Sequence, residues 1–242
     1  MSNAEYQLID THTHILPGMD DGATNPEMGV EMVKSLMAQG VKRIFATPHY
    51  YHHLESVNEF LARREDAYLN FMSELRKQDI QERPVLLGAE VSLERDLTYA
   101  ADVDKLCIEG TNIILFEFPF SSLKGWEISV IENIVFKYRL RPMIAHINRY
   151  LEVFDDSDMS QVFRIPDVIL QVDTSSLDKF KNRSFLMKLI KSGRRVVLGS
   201  DCHNMDRRKP EYDKGYKYLS KKLDKRTFNQ LIYSMNDILN IT

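Results

Sequence analysis

Residues 10–22 read Asp10-Thr11-His12-Thr13-His14-Ile15-Leu16-Pro17-Gly18-Met19-Asp20-Asp21-Gly22. They follow a short apolar run, Tyr6 to Ile9, that reads as a strand. Side chains alternate faces along a strand, so His12 and His14 point the same way at its end. Two imidazoles side by side make half a metal site. Pro17-Gly18 and Asp21-Gly22 then turn the chain, and Asp21 returns a carboxylate to the same neighbourhood. An H-x-H alone is weak, because two solvent-facing histidines at a turn look the same. Its weight comes from where the other histidines and acids fall.

Downstream, Asn25 caps a helix with Pro26 in its first turn, and Met28, Met32, Val33, Leu36 and Met37 keep helical spacing up to Gly40. Val41 to Ala46 reads as a second strand, ending in Thr47-Pro48-His49. A polar helix from Asn58 to Asp79 leads to a third strand, Val85 to Leu87, before Gly88-Ala89-Glu90. Strands at Asn112 to Phe116, Met143 to Ala145, Val168 to Val172 and Arg195 to Leu198 end at Glu117, His146, Asp173 and Gly199-Ser200-Asp201-Cys202-His203. Helices at Glu127 to Tyr138, Ser184 to Lys191, Asp213 to Lys222 and Lys225 to Leu239 fill the intervals and close the chain. Seven alternating β-α units predict a parallel sheet. No Gly-rich phosphate loop follows the first strand, and polar residues stand after nearly every strand. Both features favour a barrel over an open doubly wound sheet.

Composition narrows the function. With 242 residues, 43% of them hydrophobic, the chain is large enough for one α/β domain with a buried core. A net charge of -3, with scattered Lys and Arg, argues against nucleic acid as the partner. No apolar run spans a membrane and no signal peptide precedes the first strand; with two cysteines, this predicts a cytoplasmic protein. Residues 1–5 read as a tag remnant or disordered end.

Five of the seven histidines, His12, His14, His49, His146 and His203, stand directly after strands. So do the carboxylates Asp10, Glu90, Glu117, Asp173 and Asp201. In a barrel those strand ends share one mouth. Nitrogen and oxygen donors without thiolates suit Mn, Fe, Zn or Mg. Roughly nine donors are too many for one ion, whereas two or three ions with bridging carboxylates use them all. Such clusters suit the splitting of phosphate esters, since they polarise the phosphoryl group and acidify water.

His12-Thr13-His14, Thr47-Pro48-His49, Gly88-Ala89-Glu90, Glu117-Phe118-Pro119, Ala145-His146-Ile147-Asn148-Arg149 and Gly199-Ser200-Asp201-Cys202-His203 resemble the motifs of the polymerase-and-histidinol-phosphatase (PHP) superfamily. Within it, His12 to Gly22, the Thr-Pro-His segment and Arg149 resemble the manganese-dependent protein-tyrosine phosphatases of capsule and exopolysaccharide gene clusters. The resemblance implies a single-domain, distorted (β/α)7 TIM-like barrel and a cluster of three Mn2+ ions, with Fe, Zn or Mg able to stand in. It implies that His12, His14, Glu90 and Asp201 hold one ion, and that Glu90 bridges to a second held by Glu117 and His146. Asp21, His49 and His203 would hold the third, with Arg149 and Arg208 binding phosphate. The implied substrate is a phosphotyrosine protein, the tail of a tyrosine kinase of polysaccharide synthesis. Asp173 departs from the pattern, which leads one to expect a neutral residue there.

Two other activities fit parts of the pattern: a small-metabolite phosphatase of the histidinol-phosphate type, and a metal-stabilised domain that docks phosphotyrosine without turnover. A complete donor set argues against the second, which needs no open metal position. Cys202 to Arg208 formally matches the C-x5-R signature of cysteine phosphatases, but the segment is bulky and lacks the glycines of a phosphate cradle, so Cys202 reads as packing. Asp10 is expected to orient a ligand histidine. Arg207 is the alternative to Arg208. Tyr50, Tyr51, His52 and His53 are either a solvated loop or rings flanking an aryl phosphate. Trp126 and Phe120 cover a helix end or form a hydrophobic rim.

Overall fold

The computed structural model describes residues 7–80 and 84–238. Strand β1 spans Leu8–Thr13 and is buried from Ile9 onward, so it runs four residues beyond the expected Tyr6-to-Ile9 segment. Tyr6 and residues 1–5 lie outside the described residues. The extension is possible because Thr11, Thr13 and one oxygen of Asp10 find partners on arrival. Thr11 Oγ1 donates to Leu198 O at 3.0 Å and Thr13 Oγ1 to Phe45 O at 2.8 Å. Asp10 Oδ1 accepts the backbone N–H of Ser200 at 2.8 Å. Buried polar groups are tolerated when they are paired.

The other strands are β2 (Val41–Ala46), β3 (His49–Tyr50), β4 (Val85–Leu87), β5 (Glu90–Ser92), β6 (Ile113–Glu117), β7 (Arg141–Ile144), β8 (Ile169–Asp173) and β9 (Val196–Gly199). Every pairing is parallel, in the orders β1-β2-β4 and β3-β5-β6-β7-β8-β9. Two strand positions are broken rather than single. β2 passes into β3 across Thr47-Pro48, and β4 passes into β5 across Gly88-Ala89. Hydrogen bonds persist through the breaks, from Gly88 N to Ala46 O at 2.9 Å and from Glu90 N to Pro48 O at 3.0 Å. On the far side, Asp201 N donates to His12 O and His14 N to Cys202 O, both at 2.9 Å, which brings the end of β9 against β1. The result is seven parallel strand positions in a distorted barrel-like ring, with a single-bridge seam.

Helices α1 (Pro26–Ala38), α2 (Val57–Lys77), α3 (Trp126–Tyr138), α4 (Asp156–Val162), α5 (Phe180–Lys191), α6 (Tyr212–Lys222) and α7 (Lys225–Ile238) cover the strands. Asn25 Oδ1 caps α1 by accepting the Met28 N–H at 2.9 Å. Ser56 and Glu59 form a reciprocal capping box on α2. Helix α4 has no counterpart in the sequence analysis; an Asp155/Asp158 capping box and buried Met159 and Val162 make it a helix. Leu239 lies outside the described residues. None of the described helices is long and apolar enough to cross a membrane.

Gly29 marks where α1 lies closest to the segment after β1. A Cβ there would meet Ile15 O at 2.3 Å and a Phe71 ring carbon at 3.2 Å. Gly→Ala in a helix interior normally adds about 0.5–1 kcal/mol. Gly29→Ala should instead lower stability by about 1–3 kcal/mol through overpacking against backbone. Urea unfolding checks this, and a midpoint equal to or above the wild type would show that α1 can shift away.

Candidate metal centre

Glu90 is fully buried at the start of β5, and four histidines face it. Its Oε2 lies 3.0 Å from His12 Nε2, 3.2 Å from His14 Nε2 and 3.1 Å from His49 Nδ1. Its Oε1 lies 2.9 Å from His146 Nε2. Asp201 Oδ1 stands 3.4 Å from His14 Nε2 and 3.6 Å from both His12 Nε2 and His203 Nδ1. Glu117 Oε1 is 3.3 Å from His146 Nε2, and Asp21 Oδ1 is 3.3 Å from His203 Nε2. Thus all nine donors named from the sequence fall in one cluster, drawn from β1, β3, β5, β6 and the loops after β1, β7 and β9.

The spacings identify what the cluster suits. His12 Nε2 and His14 Nε2 are 3.1 Å apart, tip to tip. Donors at about 2.1 Å from a shared ion are about 3.0–3.4 Å from one another, which is the range seen here. His49 Nδ1 and His203 Nε2 are buried without hydrogen-bond partners, although carboxylate oxygens lie 3.1 and 3.3 Å away. A cation between each nitrogen and the carboxylate oxygen beside it would satisfy both. Three sets gather within 4.8 Å: His14, Asp21, His49 and His203; His12, His14 and Glu90; His49, Glu90 and Glu117. The donor set fits divalent ions, and His49 stands within reach of two of the sets.

Electrostatics agree. Burial pushes the Glu90 and Asp201 carboxyls up, but the surrounding imidazoles, His12 foremost, hold both well below the usual carboxylate range. Rings of His14 and His203 stack with centroids 3.8 Å apart. Burial and the His14 charge drive His203 down to about 2, whereas Asp20 holds His14 well above its ordinary value against burial. Two touching imidazoles cannot both be cations, and a neutral ring keeps a lone pair to give.

Two supporting residues escape sequence reading. Asp20 Oδ2 holds His14 Nδ1 at 2.7 Å and accepts the His49 N–H at 2.9 Å. Gln171 Oε1 lies 3.2 Å from His12 Nδ1 and also accepts the His146 N–H. The available signals are faint: an acid beside Asp21, and one amide inside the apolar run of β8. Asp10 does not orient a ring, contrary to expectation. It accepts the backbone N–H groups of His12, at 3.3 Å, and Ser200, and so pins the β1–β9 seam. Gly199 makes room for this packing, since a Cβ there would sit 2.6 Å from Gln171 Nε2 and 2.8 Å from His12 Cβ. His146 (φ 30°) and Asp201 (φ 51°) both adopt left-handed backbone, a strain that collects at functional sites.

At the mouth, Arg149 Nη2 and Arg208 Nη2 converge on one oxygen, Asp201 Oδ2, at 2.6 and 2.8 Å. Arg208 Nη1 also reaches Asp21 Oδ2 at 3.4 Å. Cys202 is fully buried, and burial, then Asp10, pushes its thiol well up. Tyr50 is buried edge-on against Phe60, away from the mouth, because it alternates with His49 along β3. Tyr51 lies with its ring 5.5 Å from that of His49. His53 bonds to Glu94, Trp126 stacks under Arg95 at 4.8 Å, and Phe120 is exposed. Asp173 accepts from the Ser175 N–H and hydroxyl at 2.8 and 2.7 Å, beside the arginines rather than among the donors.

The chain matches a family model described as capsular polysaccharide synthesis, CpsB/CapC, over residues 8–240. It is 32% identical over 209 residues to the tyrosine-protein phosphatase YwqE of Bacillus subtilis, covering 83% of this chain and 79% of that protein. It is 26% identical over 239 residues to the tyrosine-protein phosphatase CpsB of Streptococcus agalactiae serotype III, covering 93% and 94%. A crystal structure from work on YwqE of Bacillus subtilis and CpsB of Streptococcus pneumoniae, described as unique metal-dependent tyrosine phosphatases, superposes with a TM-score of 0.77 at 25% identity, over 97% of this chain and 95% of that one. An amidohydrolase from Mycoplasma synoviae shares the fold, with a TM-score of 0.58 at 12% identity over 97% and 88% of the two chains. This chain belongs to the CpsB/CapC family of capsular polysaccharide synthesis.

Proposed function

We propose that this protein is a metal-dependent protein-tyrosine phosphatase that hydrolyses the phosphomonoester of phosphotyrosine. Its substrate on this reading is the tail of a tyrosine kinase of capsule synthesis, in the cytoplasm. The observation that carries the proposal is the pairing of a buried His/Glu/Asp donor set with two guanidiniums that converge above it on Asp201 Oδ2. Mn2+ is the ion we assign, in keeping with nitrogen and oxygen donors and no thiolate. His12, His14, Glu90 and Asp201 would hold the first ion, Glu90, Glu117 and His146 the second, and Asp21, His49 and His203 the third. When bound, these ions supply Lewis-acid polarisation of the phosphoryl group and a lowered pKa for water.

The remaining work falls to the chain's own side chains. Arg149 and Arg208, each with a fork of donors, bind the phosphoryl oxygens in bidentate fashion. The Tyr51 ring flanks the aryl group next to His49. Asp20 and Gln171 keep the His14 and His12 rings turned inward. We take the chain as one catalytic unit, since β1 and α7, its first and last described elements, meet. Asn236 Nδ2 donates to Gln7 O at 3.1 Å beside β1, and β1 seals against the end of β9.

Dialysis against a chelator should abolish hydrolysis of p-nitrophenyl phosphate and phosphotyrosine peptides, and Mn2+ should restore it. His12→Ala and Asp201→Ala should lose metal, by elemental analysis, together with activity. Full activity in metal-free protein would overturn the reading.

Arg149→Lys and Arg208→Lys keep charge but lose the fork. kcat/KM should fall about tenfold or more, about 1.4 kcal/mol of transition-state stabilisation, with metal content unchanged. Wild-type kinetics in both variants would leave phosphate binding to the ions alone.

Cys202→Ser should stay within a few fold of wild-type turnover, because the thiol is sealed from substrate. An inactive variant with full metal content would restore the cysteine mechanism.

A further inference from the structure

The loop after β9 holds a cation that the metal centre does not use. Asn204 Oδ1 accepts the N–H groups of Asp206 and Arg208 at 3.0 and 3.1 Å, and Arg208 O accepts those of His203 and Asn204 at 2.8 and 3.2 Å. This turn sends successive arginines to different places. Arg208 reaches Asp201 and Asp21. Arg207 lines a cavity of about 220 Å³ whose walls also include Arg149, Arg208 and Asp201, so the cavity opens from the phosphate-binding arginines.

The cavity lining carries five cations, Arg149, Arg207, Arg208, Lys209 and Lys214, against four acids, Asp173, Asp178, Asp201 and Glu211. Lys209 and Lys214 lean on one carboxylate, Glu211, at 3.9 and 2.6 Å. Asp173 accepts two hydrogen bonds from Ser175 and stands on the Arg149 side of the wall. Asp201 belongs to the donor set. Asp178 is the one further acid on the wall, and Arg207 is exposed with no ion-pair partner among the described residues. An anion entering beside the scissile phosphate therefore meets a guanidinium fork with no ion-pair partner among the described residues, on a wall where Lys209 and Lys214 share Glu211.

We propose that this cavity is an anion subsite for a residue flanking the phosphotyrosine, with Arg207 as its principal contact. The ligand is a carboxylate or a second phosphate carried by the same peptide, and the assignment rests on the phosphatase reading above. Continuity supports it: Arg207 lines the same cavity as Arg149, Arg208 and Asp201. Guanidinium forks match either anion. As Arg207 is solvent-exposed, the preference is screened by salt.

The test uses the metal-loaded protein and one phosphotyrosine peptide in four forms: neutral flanks, aspartates on both sides, a second phosphotyrosine two residues away, and lysine flanks. At low salt, kcat/KM for an anionic form should exceed that of the neutral form by about five- to tenfold, and the lysine form should be poorest. Arg207→Glu should erase the preference, and Arg207→Ala should reduce it, each read as kcat/KM for a peptide relative to that for p-nitrophenyl phosphate in the same variant. Preference for the aspartate form alone assigns the subsite to carboxylates, and for the doubly phosphorylated form alone to phosphate. Equal rates across the series, or a preference that survives Arg207→Glu, would overturn the subsite. Failure of the wild type on p-nitrophenyl phosphate and on every peptide would strike the phosphatase reading instead. Peptide Kd values from the same protein, read as the same ratios, then decide the subsite separately.

Discussion

A carboxylate with no exposure to water, faced by four imidazoles, is the constraint on which this structure depends. Removing Glu90 from water would cost several kcal/mol if it were left alone. Its oxygens are instead ringed by nitrogens at 2.9–3.2 Å, contributed by β1, β3 and the loop after β7. Those contacts exist only because the ring of strands bends there. β4 breaks at Gly88-Ala89 and restarts at Glu90, and β2 breaks at Thr47-Pro48 and restarts at His49, so the two restarted strands pair across Glu90 and His49. Regular strands would carry both side chains along their original paths. The distortion of the ring and the position of the donors are one feature.

The cost of that arrangement appears in the backbone. His146 and Asp201 hold left-handed conformations that residues with a Cβ disfavour, and both donate to the cluster. Gly22 and Gly199 do the complementary task of letting chain segments approach. A Cβ at Gly22 would lie 2.3 Å from His14 O, and one at Gly199 would meet His12 and Gln171. Asp10 then ties β1 to Ser200 at the seam, where regular strand pairing gives way to a single bridge. Side-chain hydrogen bonds replace the missing ladder where the ring is weakest.

Much of this is legible in the sequence, for physical reasons. Alternating apolar runs and capped helices announce β-α units, and Asn25 with Pro26 starts α1 where the spacing says it should. Histidines and acids directly after strands announce a shared mouth, since parallel strands all end on one side. What escapes is whatever depends on tertiary bonds. β3 and β5 are too short to carry a periodicity, and they exist through the strands they pair with. Asp20 looks like a turn residue until His14 is seen against it, and Gln171 looks like an interruption in β8 until its oxygen is found between His12 and the His146 N–H. Tyr50 is assigned to the mouth by proximity in sequence, whereas strand alternation buries it.

The same electrostatics govern what the mouth admits. Burial and the carboxylates of Glu117, Glu90, Asp21 and Asp20 push the Tyr51 hydroxyl up to about 12, so the donor set by itself places a negative field where an aryl phosphate would lie. Arg149 and Arg208 are engaged with Asp201, and they offset only part of that field. Cations among the donors would reverse it. They would neutralise the carboxylates that repel a phosphate at the oxygens facing the histidines, while Arg149 and Arg208 hold Asp201 through its other oxygen, Oδ2. Occupancy by metal and by phosphate would then be linked, each raising the affinity of the other by the same factor.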